Sequence, residues 1–125
     1  MDLPTDSLLL RIYLGESDRK DHGPLYEAIV LKARESVLSG ATVLRGTEGF
    51  GANSVVHSSH LLVMSSDLPV LIEIVDAEDK IRLLLPHLET MVKEGMVTME
   101  YVRILLYRHN PADQPPAAPD APPKA

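Results

Sequence analysis

Apolar and polar side chains alternate along three stretches of the chain, residues 7–14, 68–75 and 97–107. Successive side chains of a β-strand point to opposite faces, so this alternation predicts a strand in each stretch. Residues 41–45 form a shorter stretch of the same kind, just before a long polar connection. The chain is therefore expected to supply four strands.

Two other stretches carry apolar residues at spacings of three and four, which is the pattern of one helical face. The first begins at Pro24, whose fixed φ suits the first helical position, and we expect Gly40 to end it in a left-handed conformation. Its apolar positions are Leu25, Ala28, Ile29, Ala33 and Val37.

The second helix is expected to follow Asp76 as its N-cap, and Gly95 is expected to close it. Its apolar positions are Ile81, Leu84, Leu85, Leu88, Met91 and Val92. Pro86 lies inside this pattern. Because proline removes a backbone hydrogen bond, we expect a kink or a break near residues 82–85.

The resulting order, β-α-β-β-α-β, predicts an α+β ferredoxin-like sandwich with a four-stranded antiparallel sheet and two helices on one face. Right-handed crossovers place the strands at 7–14 and 68–75 in the centre of the sheet. The opposite face is expected to carry Leu9, Arg11, Tyr13, Leu71, Glu73, Tyr101, Arg103, Leu105 and Tyr107. This face is too apolar for exposure to water, so we expect a homo-oligomer in which Arg11, Glu73 and Arg103 pair.

The composition of the chain argues against several classes of function. The net charge of −6 and the absence of a basic stripe argue against nucleic-acid binding. No run reaches the roughly 18 apolar residues of a membrane span, and no secretory signal is recognisable, so we expect a cytoplasmic protein without membrane insertion. Zero cysteines exclude thiolate metal sites and a cysteine nucleophile. No other nucleophile–base pair can be argued, so we expect no enzymatic activity.

The domain is expected to end at residue 108. Residues 109–125 contain six of the chain's ten prolines and no large apolar residue, which predicts a disordered, proline-rich and alanine-rich tail. A solubilising role for this tail is favoured over partner binding.

The connection at residues 46–67 is unusually long for a compact domain, and such connections are generally functional or disordered. Gly46, Gly49 and Gly51 would let the backbone approach a phosphate, or could simply satisfy positive φ in a hairpin loop. His57 and His60 have a spacing that could bind a metal ion, but a structural site normally needs two further ligands. A solvated loop histidine is the favoured interpretation.

Five segments of the chain together resemble the uncharacterised PII-like family, which is related to the PII nitrogen-regulatory signal transducers. They read LLRIYLGESD, GPLYEAIVLKARESVLSGATVLRGTEGFG, SVVHSSHLL, SSDLPVLIEIVD and EGMVTMEYVRIL, and they cover about residues 7–108. The resemblance implies a ferredoxin-like trimer with inward-facing sheets. It also implies that residues 46–67 correspond to the T-loop, which contacts target proteins, and that adenine nucleotides bind in clefts between subunits at the base of that loop.

The resemblance also implies a set of nucleotide-binding positions. They are Arg45, Gly46, Glu48, Gly49, Phe50, Gly51, Leu68, Pro69, Gly95, Arg103 and Arg108. Arg103 has a second interpretation as a structural partner of Glu73. The segment EGMVTME lacks the lysine that PII proteins present to phosphate, and the loop has no tyrosine. These departures favour AMP or ADP over a triphosphate as the effector ligand, with no obligatory cofactor.

The sequence therefore predicts a trimeric, nucleotide-responsive regulator that controls an unidentified protein target through residues 46–67. A membrane transporter is the family-level candidate for that target. Two alternatives remain open. One is a metal-binding trimer that uses His57 and His60, and the other is a protein-interaction module that needs no small ligand.

Overall fold

The computed structural model describes residues 3–49 and 68–109. Its elements are β1 (Asp6–Gly15), β2 (Arg19–Lys20), β3 (Gly23–Pro24), α1 (Leu25–Glu35), β4 (Thr42–Arg45), β5 (Pro69–Asp76), α2 (Glu78–Met91) and β6 (Met96–Arg103). Strands β2 and β3 form a small hairpin, and the other four form one antiparallel sheet in the order β4-β5-β1-β6. The predicted ferredoxin-like order is confirmed, with β1 and β5 in the centre. Most of the connection at 46–67 and the predicted tail lie outside the described residues.

The core lies between the sheet and the two helices. Alternate residues of β1 and β5 face the helices, and every third or fourth residue of each helix faces the sheet, as the sequence pattern predicts. The core residues are Leu8, Leu10, Ile12, Leu14, Leu25, Ile29, Ala33, Ile72, Ile74, Ile81, Leu84, Leu88 and Met91. Among the described helices, none is long and apolar enough to cross a membrane.

Helix α1 ends earlier than predicted. Val37 takes the left-handed conformation with φ of 58°, whereas Gly40 was expected to do so. The N–H of Val37 donates to the carbonyl of Arg34 at 3.0 Å, and the N–H of Leu38 donates to the carbonyl of Ala33 at 3.2 Å. This pair of bonds is the Schellman motif, which satisfies the last carbonyls of a helix. Leu38 can then pack against the core, so Val37 leaves the apolar face and is 61% exposed.

Asp76 is not the N-cap of α2, which is a correction to the sequence-based expectation. Ala77 occupies the N-cap position without a side-chain cap, and Asp76 is the buried last residue of β5. Its carboxylate accepts hydrogen bonds from the backbone N–H groups of Ala77 and Ser39, both at 2.7 Å. Because β5 extends to this position, Asp76 anchors the connection between α1 and β4.

Helix α2 runs unbroken from Glu78 to Met91 with Pro86 inside it, so the expected break is wrong and the expected kink stays a prediction. The residue that caps its end is Val92, whereas Gly95 was expected to close the helix. Pro86 and Arg82 are both exposed. The backbone hydrogen bond that proline cannot make is therefore lost near solvent, where water can replace it. The buried positions of the helix keep their regular spacing through this point.

The orientation of β6 is also a correction. Tyr101 pairs with Leu8, and Arg103 pairs with Asp6, so both lie on the side of the sheet that carries the helices. Tyr101 accordingly donates its hydroxyl hydrogen to Glu78 Oε1 of α2 at 3.1 Å. Leu105 and Tyr107 lie beyond the end of β6. Val97, Met99 and Tyr101 form the apolar alternate set over residues 97–101. They pair with Ile12, Leu10 and Leu8, so the alternation in this part of the strand indicates the same inward face.

Candidate functional site

The carboxyl end of β1 lies beside both described ends of the long connection. Gly15 pairs with Pro69 in the sheet. The N–H of Glu16 donates to the carbonyl of Leu68 at 2.8 Å, and the N–H of Gly46 donates to the carbonyl of Pro69 at 2.7 Å. The chain therefore leaves the sheet at Gly46 and returns at Leu68 within one hydrogen-bonded cluster.

An ion pair joins two of the elements at this cluster. Arg45, the last residue of β4, places its Nε 3.1 Å from Glu16 Oε2. Arg45 was predicted from the resemblance, whereas Glu16 was not predicted. Glu16 could have been found from the antiparallel pairing of β1 with β5. That pairing places Glu16, which follows Gly15, next to Leu68, which precedes Pro69 at the end of the long connection.

Two glycines of the predicted site pack against one proline. A Cβ added at Gly46 would lie 2.6 Å from Pro69 Cγ, and one added at Gly49 would lie 3.0 Å from the same atom. Gly49 also has φ of 151°, which side chains rarely allow. Packing against Pro69 is therefore a sufficient reason for both glycines, and it brings their backbone to the end of β1.

Gly95 lies at the same end of β1 on its other side. It has φ of 141°, and an added Cβ would collide with the carbonyl oxygen of Tyr13. Tyr13 pairs with Met96 at the start of β6. Gly95 and Pro69 thus flank the end of β1, on the β6 side and the β5 side.

The β2–β3 hairpin adds basic residues at this end of the sheet. Asp18 fixes its position, because its carboxylate accepts from the N–H of Gly15 at 2.9 Å and its carbonyl accepts from the N–H of Leu25 at 2.8 Å. Arg19 donates to the carbonyl of His22 at 3.1 Å, and Arg19 and Lys20 are both exposed. The hairpin is therefore tied through Asp18 to the end of β1, next to Glu16.

Arg103 and Arg108 lie far from this cluster within one protomer. Arg103 pairs with Asp6, nine positions before Gly15 in β1 (6 to 15), which corresponds to about 30 Å at roughly 3.3 Å per residue. Arg108 lines a surface groove of about 550 Å³ between residues 3–5 and 104–109. The structure does not bring these two arginines to Gly46, Gly49 and Pro69.

The remaining predicted positions are less informative. Glu48 is exposed. Phe50, Gly51, His57 and His60 lie outside the described residues. Within residues 3–49 and 68–109, histidine, aspartate and glutamate side chains form no group of three or more that could hold a metal ion.

The open face of the sheet carries a charged group in its middle. Arg11 of β1 donates through Nε to Glu73 Oε2 at 2.9 Å and through Nη1 to Glu100 Oε1 at 2.8 Å. The hydrogen bond to Glu73 is the main cause that raises the pKa of Arg11. The predicted Arg11–Glu73 pair is confirmed. Arg103 does not join it, because it lies on the other face, and Glu100 completes the group.

The fold is similar to that of solved PII-like proteins. It superposes on the CPII protein of Thiomonas intermedia K12, solved with bound ADP and bicarbonate, with a TM-score of 0.59 at 17% identity, over 79% of this chain and 88% of that one. A PII-like signaling protein from Thermus thermophilus gives a TM-score of 0.56 at 16% identity, over 83% and 93% of the two chains. Another CPII structure from Thiomonas intermedia K12 contains ADP, AMP and acetate.

The sequence then identifies the family. The profile of DUF190, described as an uncharacterized ACR, matches residues 7–104. A UPF0166 protein of Aquifex aeolicus is 34% identical over 97 residues, which are 78% of this chain and 91% of that protein. The UPF0166 protein of Methanocaldococcus jannaschii is 36% identical over 87 residues, which are 70% and 80%. The chain belongs to the DUF190 (UPF0166) family, and together with the PII-like fold this confirms the resemblance found in the sequence.

Proposed function

We propose that this protein is a non-enzymatic, PII-like regulator that binds AMP or ADP at the carboxyl end of β1. The observation that carries the proposal is the meeting of Gly46 and Leu68, the two described ends of the long connection, beside Arg45. A ligand held there contacts both ends of the connection, so its binding energy can bias the conformation of residues 46–67. Bound ADP in the CPII relative supports the ligand class.

The ligand chemistry follows from the groups at this end of the sheet. Arg45 offers a guanidinium to a phosphate, and the glycine-rich segment offers backbone close to the ligand. The segment after α2 has no lysine at the position where PII proteins present one, as the sequence EGMVTME shows. A ligand with one or two phosphates therefore matches the available charge better than a triphosphate.

The site is completed in a homotrimer under this proposal. Leu44, Leu71, Tyr13 and Met96 form a row across all four strands on the open face of the sheet. Leu44 and Met96 are 47% and 54% exposed in one protomer, so the row is a surface that a second copy can cover. Arg103 lies about 30 Å from the cluster within one chain, so under this proposal Arg103 and Arg108 would take part only as residues of a neighbouring copy.

The output of the regulator is contact with a partner protein through residues 46–67. The ligand would favour one conformation of this connection, and the partner would bind or leave in response. The partner is a protein target in the cytoplasm or at the cytoplasmic face of a membrane, where a transporter is the family-level candidate.

Isothermal titration of the purified full chain against AMP, ADP, ATP and cyclic AMP tests the proposal. We expect AMP or ADP to bind more tightly than ATP, because the segment EGMVTME lacks the lysine that PII proteins present to phosphate. Absence of binding to all four nucleotides at millimolar concentration overturns the proposal.

A further inference from the structure

The Arg45–Glu16 ion pair occupies the position where the proposed ligand needs a cation. The two side chains meet through a contact of 3.1 Å between Nε and Oε2, and the side chain of Arg45 remains 57% exposed. The contact uses the N–H nearest the main chain. A phosphate, by contrast, is commonly held by two parallel N–H groups of one guanidinium.

The ion pair also crosses the strand between its two partners. Arg45 lies on β4 and Glu16 follows β1, and β5 separates these strands in the sheet. The pair therefore closes over the start of β5. Backbone bonds from Glu16 to Leu68 and from Gly46 to Pro69 join the same segments. The ion pair adds a side-chain link between the start of the connection and β1.

This link is weak enough to be exchanged. The side chain of Arg45 is 57% exposed and that of Glu16 is 28% exposed, and an ion pair that is open to solvent on one side contributes little to stability in water. A phosphate monoester carries up to two negative charges and can accept two charge-assisted hydrogen bonds, so it competes well with one carboxylate oxygen for the same arginine. The backbone bonds to Leu68 and Pro69 do not depend on the ion pair and would survive the exchange.

We infer that Glu16 is a built-in competitor for the phosphate of the ligand at Arg45. The inference rests on the proposed function, because it assigns a regulatory residue to the same site. Binding of a phosphate-bearing ligand separates Arg45 from Glu16, and the start of the connection loses its side-chain link to β1. Glu16 thus lowers the affinity for the ligand and couples ligand binding to the position of Arg45.

The inference predicts opposite effects of two neutralising substitutions. Titration of AMP and ADP should show Glu16→Gln binding about two- to fivefold more tightly than the wild type, which is the range expected from loss of an exposed ion pair. Arg45→Gln should bind more weakly. Adenosine, which has no phosphate, should bind the wild type and Glu16→Gln equally well.

Glu35→Gln is the matched control. It makes the same chemical change and breaks an exposed ion pair with Lys32, but it lies at the end of α1, away from the cluster. Its affinity for AMP and ADP should equal that of the wild type. In an Arg45→Gln background, addition of Glu16→Gln should not raise the affinity further, because there is no longer an arginine for which Glu16 and the phosphate compete.

The outcomes separate the inference from the proposed function. If the wild type binds AMP or ADP and Glu16→Gln binds it equally or more weakly, the inference is overturned and the proposed function stands. A gain that persists in the Arg45→Gln background, or that extends to adenosine or to Glu35→Gln, also overturns it, because a general charge effect would then suffice. If the wild type binds neither nucleotide, both fall.

Discussion

The carboxylate of Asp76 holds the backbone N–H of Ser39 at 2.7 Å, although 37 residues separate the two in the chain. Asp76 is only 1% exposed, and its other oxygen accepts from the N–H of Ala77. This contact joins the end of β5 to the connection that leads into β4. Strand β4 in turn ends at Arg45.

Asp76→Ala is therefore expected to lower the free energy of unfolding by about 2 to 4 kcal/mol, because two N–H groups lose their acceptor. Urea unfolding followed by circular dichroism measures the change. Asp79→Ala, at an exposed position three residues later, should cost less than about 1 kcal/mol. Equal losses for the two variants would contradict the anchoring role of Asp76.

Val37→Gly should stabilise the protein by about 0.5 to 1 kcal/mol. A left-handed conformation costs a branched residue roughly 1 to 2 kcal/mol, and part of this gain is offset by the greater freedom of glycine in the unfolded chain. The exposed side chain of Val37 loses little burial. Thermal unfolding checks the sign. Val43→Gly is the control. Val43 lies in β4, where the same change should lower the stability of the protein.

Gly95→Ala should destabilise the protein by about 1 to 3 kcal/mol, because the backbone has φ of 141° and the new methyl group would meet the carbonyl of Tyr13. Gly40→Ala is the matched control. A Cβ there meets nothing within 4 Å, so the change should be neutral or slightly stabilising. Comparable destabilisation of both variants in chemical unfolding would count against the close approach at Gly95.

The ionised carboxylate of Glu78 should stabilise the folded protein at neutral pH, and this stabilisation should be lost in acid. The hydrogen bond from Arg82, followed by that from Tyr101, lowers the pKa of Glu78 below its ordinary value. A lowered pKa in the folded state means that the contribution is present above the unfolded pKa and is lost as pH falls through the folded pKa. The wild type should therefore lose more stability than Glu78→Gln between neutral pH and about pH 3.

Unfolding by urea at several pH values measures this difference. Glu89→Gln, an exposed position on the same helix, is the control and should follow the wild-type pH dependence. If Glu78→Gln also follows it, the hydrogen bonds from Arg82 and Tyr101 do not stabilise the charged carboxylate.

Met96→Glu should prevent the proposed trimer from forming, because it places a charge in the apolar row on the open face of the sheet. Light scattering coupled to size exclusion reports the mass in solution. Leu83→Glu alters a more exposed leucine on α2, which lies on the opposite side of the sheet, and should leave the mass unchanged. A Met96→Glu variant with wild-type mass would contradict an interface at the open face.

The sequence pattern was sufficient for the central strands and failed at the edges. Strand β1 places apolar residues on its inner face and mixed residues on its outer face, so the burial of Leu8, Leu10 and Ile12 follows from alternation. Strand β6 alternates regularly over residues 97–101, and its pairing with β1 places Tyr101 on the helix side with Val97 and Met99, whereas Tyr101 and Arg103 were expected on the open face. Val37 fits the helical period, but the chain has already turned at that residue.

The candidate site likewise contains residues that the sequence could predict and one, Glu16, that it could not. The two ends of the long connection carry four of the candidate residues, namely Arg45, Gly46, Leu68 and Pro69. The resemblance to PII-like proteins is sufficient to propose them as candidates. Glu16 lies far from Arg45 in the chain, and their contact depends on which residues of β1 and β5 pair. Charge patterning within the segment GESDRKDHG does not encode that register.

Strands β1 and β4 differ sharply in how firmly the sheet holds them. Strand β1 is ten residues long and is hydrogen-bonded to β5 and β6, whereas β4 has four exposed residues and pairs with β5 alone among the described strands. Amide hydrogens of β1 should exchange with solvent slowly, and those of β4 should exchange quickly. A ligand bound between them would contact a firmly held strand, β1, and a weakly held edge strand, β4. Ligand binding would therefore displace β4 more than β1.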